Sequence, residues 1–191
     1  FYWFKLRPPA APDIRAFQAE REIPVLEVVG SWDEAVRGQG KEALERVLSG
    51  YLQTCRWFDG KTKQVRSTRI TATIPIPTNA TLGYLTLVEI QYLGGGPESY
   101  LLPLAFASTE RETELKQTSP NAIVAELRIK GKDQDTEGSL YDALFDAHFC
   151  KSLLHAIAHR RRFKGDLGTV VAAPSKVFRQ VCGASETALD P

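Results

Sequence analysis

The sequence predicts an α+β domain, in which helices and antiparallel strands come in blocks and do not alternate one by one. Three observations carry this prediction. Apolar residues recur with a helical period over residues 41–55, then with a period of two over residues 70–106 on both sides of a glycine-rich turn. A second stretch of helical period follows over residues 139–162.

The elements follow in order. Residues 1–6 (Phe-Tyr-Trp-Phe-Lys-Leu) are strand-prone, and Pro8, Pro9 and Pro12 follow at once as an extended spacer. Such a strand has no partner in its own segment, so it is expected to close a preceding domain; joining this domain's sheet is the alternative. Residues 24–29 (P-V-L-E-V-V) predict a strand that ends at Gly30. Ser31 with Glu34 has the form of a capping box and predicts a short helix. Leu44, Val47, Leu48, Tyr51, Leu52 and Cys55 then mark one face of a helix, with Glu42, Glu45, Arg46 and Gln53 on the other.

After Gly60, Ile70, Ala72, Ile74 and Ile76 alternate up to Pro75 and Pro77. Leu82, Tyr84, Thr86, Val88, Ile90 and Tyr92 share one strand face, and residues 94–97 (Gly-Gly-Gly-Pro) turn the chain into Tyr100, Leu102, Leu104 and Phe106. Pro103 places that strand at an edge or a bulge. Residues 108–121 read as a polar loop, Ile123, Ala125, Leu127 and Ile129 as a half-buried strand, and residues 131–138 as a charged turn. Tyr141, Leu144, Phe145, Phe149, Leu153 and Ile157 predict a long helix over 139–162. A strand over 169–173, a short helix over 175–181 and a loose polar end complete the chain.

Composition narrows the function. The 191 residues are 43% hydrophobic and 25% charged, with 24 Lys+Arg against 23 Asp+Glu. A net charge of +1 argues against a nucleic-acid or anionic-membrane binder. No apolar run approaches the ~20 residues of a membrane helix, and no signal sequence opens the chain. Cys55, Cys150 and Cys182 are three in number and far apart, which predicts reduced thiols in a cytoplasmic protein and no zinc site. With no methionine in the chain, Phe1 is expected not to be a natural start.

Each candidate site has a structural explanation beside the chemical one. Gly60-Lys61-Thr62 resembles the end of a P-loop, but Cys55 stands where the first glycine belongs and a helix precedes it. His155 and His159 have the spacing of a zinc helix, yet Ala156 replaces the general-base glutamate. Favourable placement at a helix C-terminus explains both histidines. Asp142 and Asp146 could pair as acid and base; a solvated face near a helix N-terminus explains them more simply. Arg160, Arg161 and Arg162 with Lys164 form the sharpest basic cluster, expected to complement a helix end or to meet an acidic partner. Arg56, Trp57 and Phe58 end the first long helix. Trp57 and Phe58 are expected to plug the gap between helix and sheet while Arg56 caps the last carbonyls; a sugar-stacking or interface anchor is the functional alternative.

The stretch from Tyr51 to Lys61 with its R-W-F-D-G-K block, Y-L-T-L-V-E-I-Q-Y at 84–92, Y-L-L-P-L-A-F at 100–106 and Y-D-A-L-F-D at 141–146 resemble the N-terminal cap region of bacterial maltokinases. The resemblance spans residues 24–183, and residues 1–6 resemble the closing strand of a trehalose synthase, as in fused trehalose synthase–maltokinase proteins. It implies a cystatin-like antiparallel sheet packed against one or two long helices, a preceding trehalose synthase domain ending at residue 6 and a linker over 7–23. The cap would occupy 24–165, and the kinase N-lobe, or a loose tail, would begin at 166.

It also implies a parent enzyme that transfers phosphate from ATP to maltose with Mg²⁺. The family's H-G-D-x-H-x-x-Q and D-F-E-G strings do not occur in the chain. The expected role is therefore non-catalytic, with no cofactor in this piece: it shapes the kinase body and joins it to the synthase domain, its partners in one polypeptide. Trp57 and Phe58 are the expected anchors, and Arg160, Arg161 and Arg162 are expected to face a neighbouring domain. The rivals are a free-standing cystatin-like interaction module and, with no coherent constellation, a small enzyme using Asp142, Asp146 and the histidines.

Overall fold

In a computed structural model, which describes residues 22–78, 82–132 and 134–182, the alternating runs pair as their period dictates. The strands are β1 (Val25–Val29), β2 (Val65–Pro77), β3 (Leu82–Tyr92), β4 (Glu98–Ser108), β5 (Ile123–Lys130) and β6 (Thr136–Asp142). They form one sheet in the order β1-β5-β6-β4-β3-β2. All neighbours are antiparallel except β1 and β5, where Val25 to Val29 run parallel to Glu126 to Lys130. The fold class is α+β.

The pleat sends alternate residues of each strand to opposite faces, so the sheet carries two cores. Tyr84, Val88 and Ile90 of β3 belong to the first, with α1 (Glu34–Arg37) and α2 (Lys41–Thr54). From α2, Leu44, Leu48, Tyr51 and Leu52 are buried there, each contributing roughly 1.5–3 kcal/mol by leaving water. Leu85 of β3 points the other way, to Ile74, Ile76, Ala105, Tyr141 and Phe149. The second core is covered by α3 (Thr109–Thr118), α4 (Ala147–Ala158) and a hairpin of β7 (Arg162–Lys164) and β8 (Thr169–Val171). A last helix, α5 (Lys176–Cys182), follows.

Four expectations change. The polar loop over 108–121 holds α3, which has only Leu115 as a buried residue. Glu110 and Glu112 in its first turn and Lys116 in its last complement the helix dipole, and Glu112 and Lys116 bond to Ser139 and Glu126 of the sheet. The long helix over 139–162 is divided. Its start is β6, inserted between β5 and β4, and helix begins only at Ala147, where the Asp146 side chain accepts from the His148 N–H. Residues 138–142 are buried throughout, so no alternation betrays the strand. The charged turn is correspondingly shorter than 131–138, since β6 starts at Thr136.

Ser31 does not cap α1: it donates to Asp33, which occupies the N-cap position. Helices lie on both faces of the sheet. Pro103 is accommodated because β6 pairs with β4 only from Leu104 onward, leaving β4 an edge at Pro103 on that side. The expected boundary at 165/166 falls within the β7–β8 hairpin. The expectations for residues 1–6, for 7–21 of the linker and for 184–191 lie outside the described residues.

Candidate functional site

At the end of α2 the chain turns sharply, with Cys55 N–H on the Leu52 carbonyl and Phe58 N–H on the Cys55 carbonyl. This turn splits Trp57 from Phe58. Phe58 is 2% exposed, within the first core, with its ring edge-on to Tyr100 at 5.2 Å. Trp57 stays 45% exposed and leans on the outer side of Tyr100 at 5.9 Å. Phe58 alone therefore fills the gap between helix and sheet. Arg56 is exposed; the Tyr51 carbonyl accepts from Thr54 Oγ1 and the Leu52 carbonyl from Cys55.

Next to Tyr100, the Glu98 carboxylate accepts from Tyr92 Oη at 2.8 Å, from Tyr100 Oη at 2.7 Å and from Lys63 Nζ. These donors, Lys63 first, hold the Glu98 pKa at about 2, below its ordinary 4.5. The unfolded chain takes up that proton first, so the stability from Glu98 is complete above about pH 4.5 and is lost as pH falls toward 2. Glu98→Gln is expected to flatten the acid limb of a melting-temperature profile measured across that window. An unchanged acid limb would remove Glu98 from the account of acid stability.

Asp142 and Asp146 are not on a solvated face: they are 1% and 4% exposed. Asp142 closes β6, accepting from Tyr51 Oη at 3.3 Å and from the Leu144 N–H at 3.0 Å. Burial raises its pKa, so it favours the fold at low pH and opposes it as pH rises. Asp146 caps α4 and accepts from Tyr141 Oη at 2.9 Å, with the Arg111 guanidinium also at 2.9 Å. Burial first, then the Asp146 charge, pushes the Tyr141 hydroxyl up to about 12. The two carboxylates thus hold the joint between β6 and α4. His155 and His159 stack at 4.0 Å in the last turn of α4, and His159 Nδ1 lies 2.9 Å from the His155 carbonyl. Among the described residues no three His, Cys, Asp or Glu side chains are grouped to hold a metal. Cys55 and Cys150 are not joined in a disulfide.

Sequence reasoning missed a groove on the second face. Its floor is Ile76, Leu85 and Pro103 of the sheet; one wall is Leu153, Ala156 and Ile157 of α4, the other Phe163 and Val170 of the hairpin. Leu101 and Leu144 complete the mouth, and both are about half exposed. The volume is about 260 Å³ and every lining side chain is apolar. The hairpin is clamped to the sheet through Asp166, which accepts from the Thr73 N–H at 2.8 Å and from Thr73 Oγ1 at 3.2 Å.

Between α4 and the hairpin, Arg160 takes a left-handed φ of 52°. The sequence-predicted cluster lies here, with Arg160, Arg161, Arg162 and Lys164 exposed. Elsewhere among the described residues Arg37, Lys63, Arg111, Lys116, Arg128 and Lys130 sit in ion pairs, while Lys41, Arg46, Arg56, Lys61, Arg66 and Arg69 do not. Among the described residues no carboxylate pairs with the 160–164 cluster. The groove is assembled from separate segments of the chain, so no local motif in the sequence could reveal it.

No helix among the described residues is long and apolar enough to cross a membrane. No curated protein matches the chain significantly. A family model described as the maltokinase N-terminal cap domain matches residues 51–146, from the last turns of α2 to the N-cap of α4. That covers just over half of the chain and takes in the R-W-F-D-G-K and Y-D-A-L-F-D blocks. The chain belongs to the maltokinase N-terminal cap domain family.

Proposed function

We propose that this chain works as a non-catalytic cap within a maltokinase, an enzyme that makes maltose 1-phosphate from ATP and maltose in α-glucan metabolism. The cap shapes the kinase body and joins it to a trehalose synthase domain ahead of the proline-rich segment. ATP and Mg²⁺ belong to the body and not to this segment, and the setting is cytoplasmic. The observation that carries this reading is the open apolar groove beside α4, together with membership of the family. A folded domain gains nothing from leaving such a surface in water, and exposed apolar patches mark interaction sites. The antiparallel β2–β3–β4 meander with α2 laid across it supports a cystatin-like description of that half of the fold.

The test has two parts. Calorimetric titration of the chain with Mg-ATP and with maltose, followed by a phosphotransfer assay, is expected to give neither heat nor product. Adding the chain to a maltokinase body lacking its cap is expected to restore maltose phosphorylation. Turnover by the chain alone would place an active site within residues assigned here to structure. Failure to restore activity would favour the free-standing interaction module, which needs no kinase body.

A further inference from the structure

Resting on the cap reading, we infer that β4 takes up one more strand along Glu98 to Pro103. Its occupant is an extended segment of the catalytic body with apolar side chains on both faces. β3 pairs with β4 from Glu98 to Ala105, whereas β6 pairs with it only from Leu104 to Ser108. β6 ends at Asp142, opposite Leu104, and the chain leaves the sheet through Ala143–Phe145. Among the described residues no strand continues that lane beside 98–103. Thr86 Oγ1 of β3 donates to the Leu102 carbonyl, so the backbone groups of Leu102 face β3. Those of Ser99, Leu101 and Pro103 face the lane, because backbone groups alternate in direction along a strand. Ser99 and Leu101 thus offer an N–H and a carbonyl each, and Pro103 a carbonyl. Pro103 sits where β3 needs no donor from it.

The surroundings of the lane call for an extended chain. On the second face it borders the apolar groove through Leu101 and Pro103, with Leu144 at the mouth. On the first face stands Tyr100, with the half-exposed Trp57 leaning on it. A helix or a small ligand covering this surface would bury the Ser99 and Leu101 N–H groups without acceptors. A strand pairs with them and sends alternate side chains into the groove and toward Tyr100. It is therefore apolar on both faces, as a strand inside a covered sheet is.

The outer strands of the sheet are shut by contrast. On β2 the Glu45 carboxylate accepts from the Ile70 N–H and the Asp166 carboxylate from the Thr73 N–H, groups that an added strand would need. On β1 the exposed face carries Glu27, paired with Lys130 of β5, and charge on an edge strand resists pairing. Between Ser99 and Pro103 there is no charged side chain. Cap and body share one polypeptide on this reading. A segment of the body therefore meets the lane at a higher effective concentration than a second copy of the chain does.

The first measurement is amide exchange over residues 98–103, in the chain alone and in the intact maltokinase polypeptide. The Ser99 and Leu101 amides are expected to exchange quickly in the chain and at least about tenfold more slowly in the intact polypeptide. Tyr100 and Leu102, bonded to β3, should be slow in both. In a second measurement, Leu101→Pro removes the N–H that faces the lane and spares the ladder to β3. It is expected to weaken binding of the chain to a capless body by about fivefold, with the chain's melting temperature within about 3 °C of the parent. Trp57→Ala, on the other face, is expected to weaken the same binding by about tenfold. Unchanged exchange at Ser99 and Leu101, undiminished binding by either variant, or protection that grows with the concentration of the intact polypeptide overturns the inference; the last would give the lane to a second copy. Should Leu101→Pro fail to fold, the exchange of the unaltered protein decides. If exchange is unchanged while the chain still restores maltose phosphorylation, the lane is wrong and the cap reading stands. If the unaltered chain neither binds the body nor restores activity, the cap reading fails and takes the lane with it.

Discussion

Phe149→Ala is expected to destabilise the fold by about 3–5 kcal/mol, lowering the melting temperature by roughly 10 °C. Phe149 is 2% exposed and is the largest side chain by which α4 enters the second core. Its ring lies over Gly83 of β3, where an added Cβ would come within 2.5 Å of Phe149 Cε2. Without the ring that floor has nothing on it, and the neighbouring side chains are fixed in the sheet and cannot collapse inward. The loss should be uneven. Amide exchange in α4 is expected to accelerate far more than exchange in α2, whose contacts lie on the other face. Equal acceleration in both helices would mean that the two cores unfold as one unit.

Asp146→Ala is expected to cost about 3 kcal/mol in a urea titration. The loss combines an N-cap, worth about 1 kcal/mol, with a buried Tyr141 hydroxyl left without its acceptor, worth about 1–3 kcal/mol. Arg111 loses its carboxylate as well. Asp146→Asn keeps an acceptor at the cap and is expected to recover about half of the loss. If the alanine variant unfolded within about 0.5 kcal/mol of the parent, the joint between β6 and α4 would have to be held by packing alone.

What could be read from the sequence depended on whether one local period ran uninterrupted. The helix over 41–55 and the strand around residues 24–29 each bury one face and expose the other, and the strands over 82–92 and 123–130 do so toward their C-terminal ends, so pattern and structure agree there. The stretch over 139–162 failed because Tyr141, Leu144, Phe145, Phe149, Leu153 and Ile157 keep helical spacing across a strand, a turn and a helix. Burial on both faces removes alternation from residues 138–142. Asp142 and Asp146, four apart, then seemed to share a helix face. One ends a strand and the other caps a helix. α3 was invisible for the opposite reason: with a single buried leucine it has almost no apolar stripe.

At the site, the basic cluster and Phe58 could be picked out from local composition. The groove could not, because Ile76, Leu85, Pro103, Ile157 and Phe163 meet only after the sheet has formed. Trp57 was paired with Phe58 by adjacency, but at the turn after the helix only Phe58 is buried, while Trp57 stays half exposed against the same Tyr100 ring.

The parallel pairing of β1 with β5 has a consequence for the birth of the protein. Val25 opens the sheet's sequence yet finds its partner at Glu126, and Glu27 meets Lys130 across a separation of 103 residues. At ~5–20 residues per second of synthesis, roughly 5–20 s pass between the making of β1 and the arrival of its neighbour. Through that interval the meander of β2, β3 and β4 can assemble from local contacts while β1 waits unpaired. Among the described strands, the first to be translated thus waits longest for its neighbour.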